Sequence, residues 1–220
     1  MALGFAYLVS YNVVQFFGWS WISILTLKSV VLDTVPFSDI FSVISTQLKI
    51  FQTLAILEVV NSAVGLVRSP PIVTALQVAS RVYLVWLVTD LVEEAQHSIG
   101  VIIYVIAWCI TEVVRYSFYA LSLVKRPPYF LLWARYSFFI VLYPMGVVGE
   151  MMTVFSAMPA VKQRRILSLD LPNPANISFS YYYAMILIVL TYLPGFPQLY
   201  FYMWNQRRKV LNGDQGKKKA

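Results

Sequence analysis

In the stretch YPMGVVGE, Tyr143 and Glu150 stand seven residues apart inside one of the most apolar parts of a 220-residue chain. Seven residues of α-helix make about two turns and roughly 10 Å of axial rise, so both side chains look out from nearly the same helix face. A phenol and a carboxylic acid sharing a water-poor space are suited to proton transfer: the carboxylate accepts a proton, and the phenol donates one to a developing oxyanion or a departing hydroxyl. No nucleophile is needed. Pro144 removes a backbone donor between them and is expected to kink the helix. Gly146 and Gly149 carry no side chain, which allows close approach by another helix or by a ligand chain.

Other chemistries have less support. The only histidine, His97, lies in a connection between apolar segments, and no nucleophile elbow is present. Cys109 is the only cysteine; it excludes an intramolecular disulfide, and no cluster resembles a zinc or iron site. Cys109 and Arg115 have the Cys-x5-Arg spacing of cysteine phosphatases. The intervening ITEVV has no glycine and belongs to an apolar helix, whose N–H groups are already bonded and cannot converge on a phosphate.

Glu58, Arg81, Glu112, Arg115, Arg135 and Glu150 also fall within apolar segments. At about 2.5–3.5 kcal/mol for each charge at a bilayer centre, six unpaired charges would cost on the order of 15 kcal/mol. The expectation is therefore that three acids and three bases pair around an interior polar cavity. Glu112 and Arg115, three apart, share a helix face, as do Gln77 and Arg81, four apart. Two readings stand: pairs that specify how helices meet, or a functional site. For Arg135, snorkelling to an interface is a third.

The elements that position these groups follow from composition. Hydrophobic residues make up 59% of the chain and charged residues 12%, half the charged share of a soluble domain. Apolar runs of about 20 residues mark membrane spans, placed near 7–31, 46–67, 72–91, 99–124, 129–158 and 181–204. The fold class is thus an all-α integral membrane protein, a six-transmembrane-helix bundle with an interior polar cavity, forming one domain over 1–206. Pro70, Pro71, Pro127, Pro128 and Pro159 punctuate the breaks. The first segment has no basic start and runs too long for a removable signal, so it is expected to stay.

The net charge of +7 is concentrated at the end, in Arg207, Arg208, Lys209 and Lys217 to Lys219. Residues 207–220 read as a basic cytosolic tail meeting anionic lipid, not as a nucleic-acid surface. Arg68, Lys125 and Arg126 fall on the same side as the tail; Asp33, Asp39, Asp90, Glu93 and Glu94 fall on the other. Both termini are then cytosolic. Lys162, Arg164 and Arg165 run against that rule. Lys217 and Lys218 occupy the positions of a dilysine signal for return to the endoplasmic reticulum. Asn176, Ile177 and Ser178 form a glycosylation sequon, close enough to the sixth span that an unmodified site is expected.

The blocks YNVVQFFGWSW, FQTLAILEVVNSAVGLV, TEVVRYSFYAL, WARYSFFIVLYPMGVVGE and PQLYFYMWNQRRK resemble those of the 3-hydroxyacyl-CoA dehydratases of the endoplasmic reticulum, also called protein-tyrosine-phosphatase-like proteins. The resemblance runs from about Tyr7 to Lys209. It implies six spans with cytosolic termini and dehydration of very-long-chain 3-hydroxyacyl-CoA to trans-2-enoyl-CoA, the third step of the elongation cycle. It places the catalytic pair at Tyr143 and Glu150, and supporting polar positions at Glu58, Gln77, Arg81, Glu112, Arg115, Arg135 and Gly146. Partners implied are the condensing enzyme and the two reductases. No cofactor is expected, since coenzyme A belongs to the substrate and loss of water moves no electrons.

Glu150 is read mainly as the base and Tyr143 as the donor to the hydroxyl or the thioester oxygen, with Arg115 a contributor to enolate stabilisation. The coenzyme A phosphates would lie at the cytosolic rim near Arg68, Lys125, Arg126 or Arg135, residues that serve equally as topology determinants. Two alternatives remain: a transporter with midplane charges, for which no inverted repeat is visible, and a catalytically silent scaffold.

Overall fold

The computed structural model of the chain describes residues 2–172, 174 and 176–218. Among the described residues, nine α-helices assemble into six segments long and apolar enough to cross a membrane. Helix α1 (Ala2–Val31) is the first span. A 3-10 turn, Phe37–Asp39, leads into α2 (Ile40–Leu54) and α3 (Ile56–Ala63), which form the second with a break at Ala55. The break is local: the Ala55 N–H bonds to the Gln52 carbonyl at 3.3 Å, and Ala55 accepts from Glu58 at 2.9 Å, both three-residue steps. Glu58 therefore enters the bundle at the start of a reset helix.

Helix α4 (Pro71–Val82) opens with Pro71 at its first position, where a missing N–H costs nothing. It continues as a π-helical segment, Tyr83–Thr89. The wider winding shows in Asp90 N–H bonding Val85 at 2.9 Å, and the Thr89 hydroxyl bonds the Leu84 carbonyl at 2.9 Å. Such insertions re-aim the residues beside them, and Arg81 lies one short step before this one. After α5 (Glu93–Gln96), helix α6 (Ile99–Val124) begins at Ser98, whose side chain caps the Gly100 N–H at 3.2 Å.

Helix α6 is the centre of the bundle. More than half of its apolar stretch is buried, and it packs against α1, α2, α7 and α8. Helices α7 (Tyr129–Arg135) and α8 (Phe139–Arg164) make the fifth span. Helix α9 (Tyr181–Lys218) makes the sixth and rests mainly on α8. Leu187 and Leu193 on α9 are 65% and 71% exposed, so most of this helix faces the lipid. With six passes, both termini lie at one end of the bundle, together with Arg68, Lys125 and Arg126.

Several boundaries differ from the expected ones. Pro159 does not end the fifth span, which continues to Arg164, and Pro144 sits within the same unbroken helix. The interruption falls instead at 136–138, between α7 and α8. Membrane helices tolerate proline when another group meets the freed carbonyl. Pro144 leaves the Ile140 carbonyl without its usual donor, and the Tyr200 hydroxyl from α9 approaches it at 3.5 Å. The second span starts nearer Phe37 than Thr46, and the sixth stays apolar to Leu211. The helix runs on to Lys218, so the proposed tail is largely a helical extension; Lys219 and Ala220 lie outside the described residues.

The basic residues at the end away from the termini all have partners. Arg164 pairs with Glu94 and Arg165 with Asp170, while the Lys162 ammonium lies 5.4 Å from the centroid of the Tyr182 ring. Asn176 is exposed in the same loop, which is closed by paired backbone bonds between Leu169 and Phe179.

Candidate active site

Helix α8 carries both members of the expected pair, and its continuity from Phe139 to Arg164 keeps them on one face. That face meets α9. The Tyr143 ring stacks on Phe196, with centroids 5.1 Å apart and planes at 5°, and on Tyr200 at 6.5 Å. Its hydroxyl donates to no protein acceptor among the described residues.

Glu150 is buried, with 8% of its surface exposed. One carboxylate oxygen, Oε1, accepts from the Trp108 indole N–H at 3.1 Å, and the other, Oε2, accepts from the Tyr192 hydroxyl at 2.9 Å. The expected mutual pairing of three acids and three bases is corrected here. Among the described residues Glu150 has no arginine within ion-pair distance; two neutral donors satisfy it instead, because α6 and α9 present aromatic N–H and O–H groups at its depth.

The remaining charges form a chain. Glu112, 1% exposed, pairs with Arg81 on one side and with Arg115 Nε at 2.7 Å on the other. The second contact is an ion pair by distance but is not aligned as a hydrogen bond. Arg115 also donates to Glu58 at 2.8 Å, and Glu58 accepts from the Tyr116 hydroxyl at 2.5 Å and from Tyr11 at 3.4 Å. The sequence reading paired Glu112 with Arg115, and that pair is present. The chain approaches Glu150 through Arg81, whose guanidinium lies 4.9 Å from the centroid of the Trp108 ring. A cation over an indole face is attracted by its quadrupole. Trp108 thus touches Arg81 with its face and Glu150 with its edge.

Two expected residues stand apart. Gln77 is exposed, and its amide makes no hydrogen bond among the described residues. Arg135 is half-buried at the end of α7, donating to the Tyr119 hydroxyl at 3.2 Å and lying over the Tyr136 ring at 6.0 Å. Its contacts are aromatic, not acidic, as befits a residue near the end of a span. Trp108 and Tyr192 are the residues that sequence reasoning missed. Both sit in runs already rich in aromatics, where an indole or phenol in a packing role has the same signature. The spacing of Trp108 from Glu112, four residues on one face, was the one available clue.

The two glycines have separate roles. A methyl on Gly149 would stand 2.6 Å from the Tyr104 amide nitrogen and 2.7 Å from the Gly100 carbonyl oxygen, so α6 and α8 cross there backbone to backbone. A methyl on Gly146 would meet Ala107 at 3.6 Å and Trp108 Nε1 at 3.8 Å, ordinary contacts. Gly149→Ala is therefore expected to destabilise the protein by about 1–3 kcal/mol, read as a lower apparent melting temperature in detergent. Gly146→Ala is expected to leave that temperature unchanged, because its methyl would make only ordinary contacts.

Cys109 and Arg115 both lie on α6, where Arg115 is engaged by two carboxylates and the backbone is helical. The phosphatase spacing has no anion-binding loop. Two clefts, of about 710 and 590 Å³, open elsewhere, the first beside Lys49 and Trp86 and the second beside Tyr83 and Phe179; neither is lined by Tyr143 or Glu150. No group of three metal-ligating side chains occurs among the described residues.

The six long apolar helices are those of a multi-pass membrane protein. Residues 52–213 match the family described as protein tyrosine phosphatase-like protein, PTPLA, and the chain belongs to that family. It is 51% identical over 213 residues to the very-long-chain (3R)-3-hydroxyacyl-CoA dehydratase hpo-8 of Caenorhabditis elegans, covering 96% of this chain and 97% of the relative. It is 48% identical over 217 residues to very-long-chain (3R)-3-hydroxyacyl-CoA dehydratase 2 of Homo sapiens, covering 99% and 85%. Identity to the dehydratase PASTICCINO 2 of Arabidopsis thaliana is 37% over 207 residues, 94% of this chain and 93% of the relative. No solved structure matches significantly.

Proposed function

We propose that this chain eliminates water from very-long-chain 3-hydroxyacyl-CoA to give trans-2-enoyl-CoA in fatty-acid elongation. The names of its relatives support the reaction. The single observation that carries the site is the pairing, on one face of α8, of a buried Glu150 with a Tyr143 whose hydroxyl has no protein acceptor among the described residues.

Glu150 takes the proton from C2, which the thioester acidifies. The C–H electrons form the C2=C3 bond as the C3–O bond breaks, and Tyr143 protonates the departing hydroxyl, which leaves as water. Negative charge builds on the thioester oxygen during this step and needs a fixed positive partner. Arg81 is better suited to that role than Arg115: it lies 4.9 Å from the ring centroid of Trp108, the indole that bonds Glu150, and it pairs with one carboxylate, that of Glu112. Arg115 is already shared by two carboxylates.

The acyl chain would enter between α8 and α9, where the pair faces a helix mostly surrounded by lipid, and an interior polar cavity would form there around the bound substrate. Coenzyme A would remain at the termini end, among Arg68, Lys125, Arg126 and Arg135, the end assigned to the cytosol of the endoplasmic reticulum membrane. The reaction moves no electrons, so no cofactor is called for. The condensing enzyme and the two reductases of the cycle are the proposed partners.

The test is an assay of purified wild-type protein with a long-chain 3-hydroxyacyl-CoA, with mass spectrometry for the product. The expected result is an enoyl-CoA lighter than the substrate by one water. Absence of that product from folded protein would overturn the proposal.

A further inference from the structure

Glu150 is the only one of the three acids in the interior chain of polar groups that rests entirely on neutral donors. A carboxylate paired with arginine is stabilised in place by a full charge, and such a pair resists the approach of a proton. A carboxylate held by an indole N–H and a phenol O–H keeps its orientation and leaves further lone pairs on each oxygen. The two donors come from different helices, Trp108 from α6 and Tyr192 from α9, and bind different oxygens. Together they fix the carboxylate plane, where either alone would allow it to rotate.

The two tyrosines near Glu150 are therefore not equivalent. Tyr143 has a hydroxyl that donates to no protein acceptor among the described residues, and it is oriented by stacking of its ring alone. Tyr192 is committed to Oε2 at 2.9 Å. We propose that Tyr192 is a positioning residue for the dehydration, acting through Glu150 to aim it at the C2 proton, while Tyr143 remains free to meet the leaving hydroxyl. This inference rests on the dehydratase reading and on Glu150 as its base.

The experiment compares wild type, Tyr192→Phe and Glu150→Gln, purified as full chains in lipid nanodiscs and assayed with a long-chain 3-hydroxyacyl-CoA bearing hydrogen or deuterium at C2. Tyr192→Phe is expected to lower kcat by about tenfold to a hundredfold, the usual range for losing one hydrogen bond to a charged group. KM should hardly change, and the deuterium isotope effect at C2 should rise, because proton removal becomes the slower step. A role in packing alone would not raise that isotope effect. Leu193→Ala, a lipid-facing change on the same helix, should retain wild-type turnover.

An unchanged kcat in Tyr192→Phe overturns the proposal, and so does a lower kcat with an unchanged isotope effect. If Tyr192→Phe does not yield folded protein, Tyr192→Met is judged by the same criteria. The underlying reading fails separately: wild type without enoyl product removes the reaction, and Glu150→Gln at full turnover removes the base.

Discussion

Glu150→Gln is expected to lower kcat by about a hundredfold to ten-thousandfold, the range that general acid–base groups supply, with the protein still folded. Glutamine matches glutamate in shape and can keep a hydrogen bond from Trp108 or Tyr192, so the loss isolates the proton-accepting function. Tyr143→Phe should fall in the same range for the complementary reason. Its ring contacts with Phe196 and Tyr200 are retained, and only the hydroxyl is removed. Steady-state kinetics on both variants, with thermal unfolding as the control for folding, checks the pair. Full turnover in both would remove the site from α8 altogether.

Glu112→Leu is expected to produce the largest loss of stability. Glu112 is buried between Arg81 and Arg115, and its removal leaves two guanidinium groups facing each other without the intervening charge. Breaking a buried ionic group by removing one partner costs about 3–5 kcal/mol. The measurement is the apparent melting temperature in detergent. Adding Arg81→Leu should recover part of the loss, since one of the stranded charges is then gone and Arg115 still has Glu58. A double variant less stable than Glu112→Leu would show that Arg81 contributes through something other than its charge. Activity is not the readout here, because Arg81 lies against Trp108, the indole that bonds Glu150.

The spans were legible because a bilayer demands about 20 apolar residues for each crossing, and composition reports that directly. That Tyr143 and Glu150 share one helix was legible because helical spacing placed the phenol on the face of the acid. Pairings between helices were not. That Glu58 meets Arg115 depends on the break at Ala55 and on how α3 sits against α6, neither of which leaves a periodic trace. Pro159 misled because proline reads as a stop in water, whereas a membrane helix can continue through it. Trp108 and Tyr192 escaped notice because their polar atoms matter only once their orientation is known.

Helix α9 touches the rest of the protein chiefly along α8 and presents most of its circumference to hydrocarbon. A helix in that situation takes its tilt from the thickness of the surrounding film as well as from its neighbours. The separation between the Tyr192 oxygen and Glu150, 2.9 Å here, is accordingly expected to change with the lipid. Micelles and bilayers of differing depth would then tune the same chemistry as solvents do, and the membrane becomes a variable in the rate law.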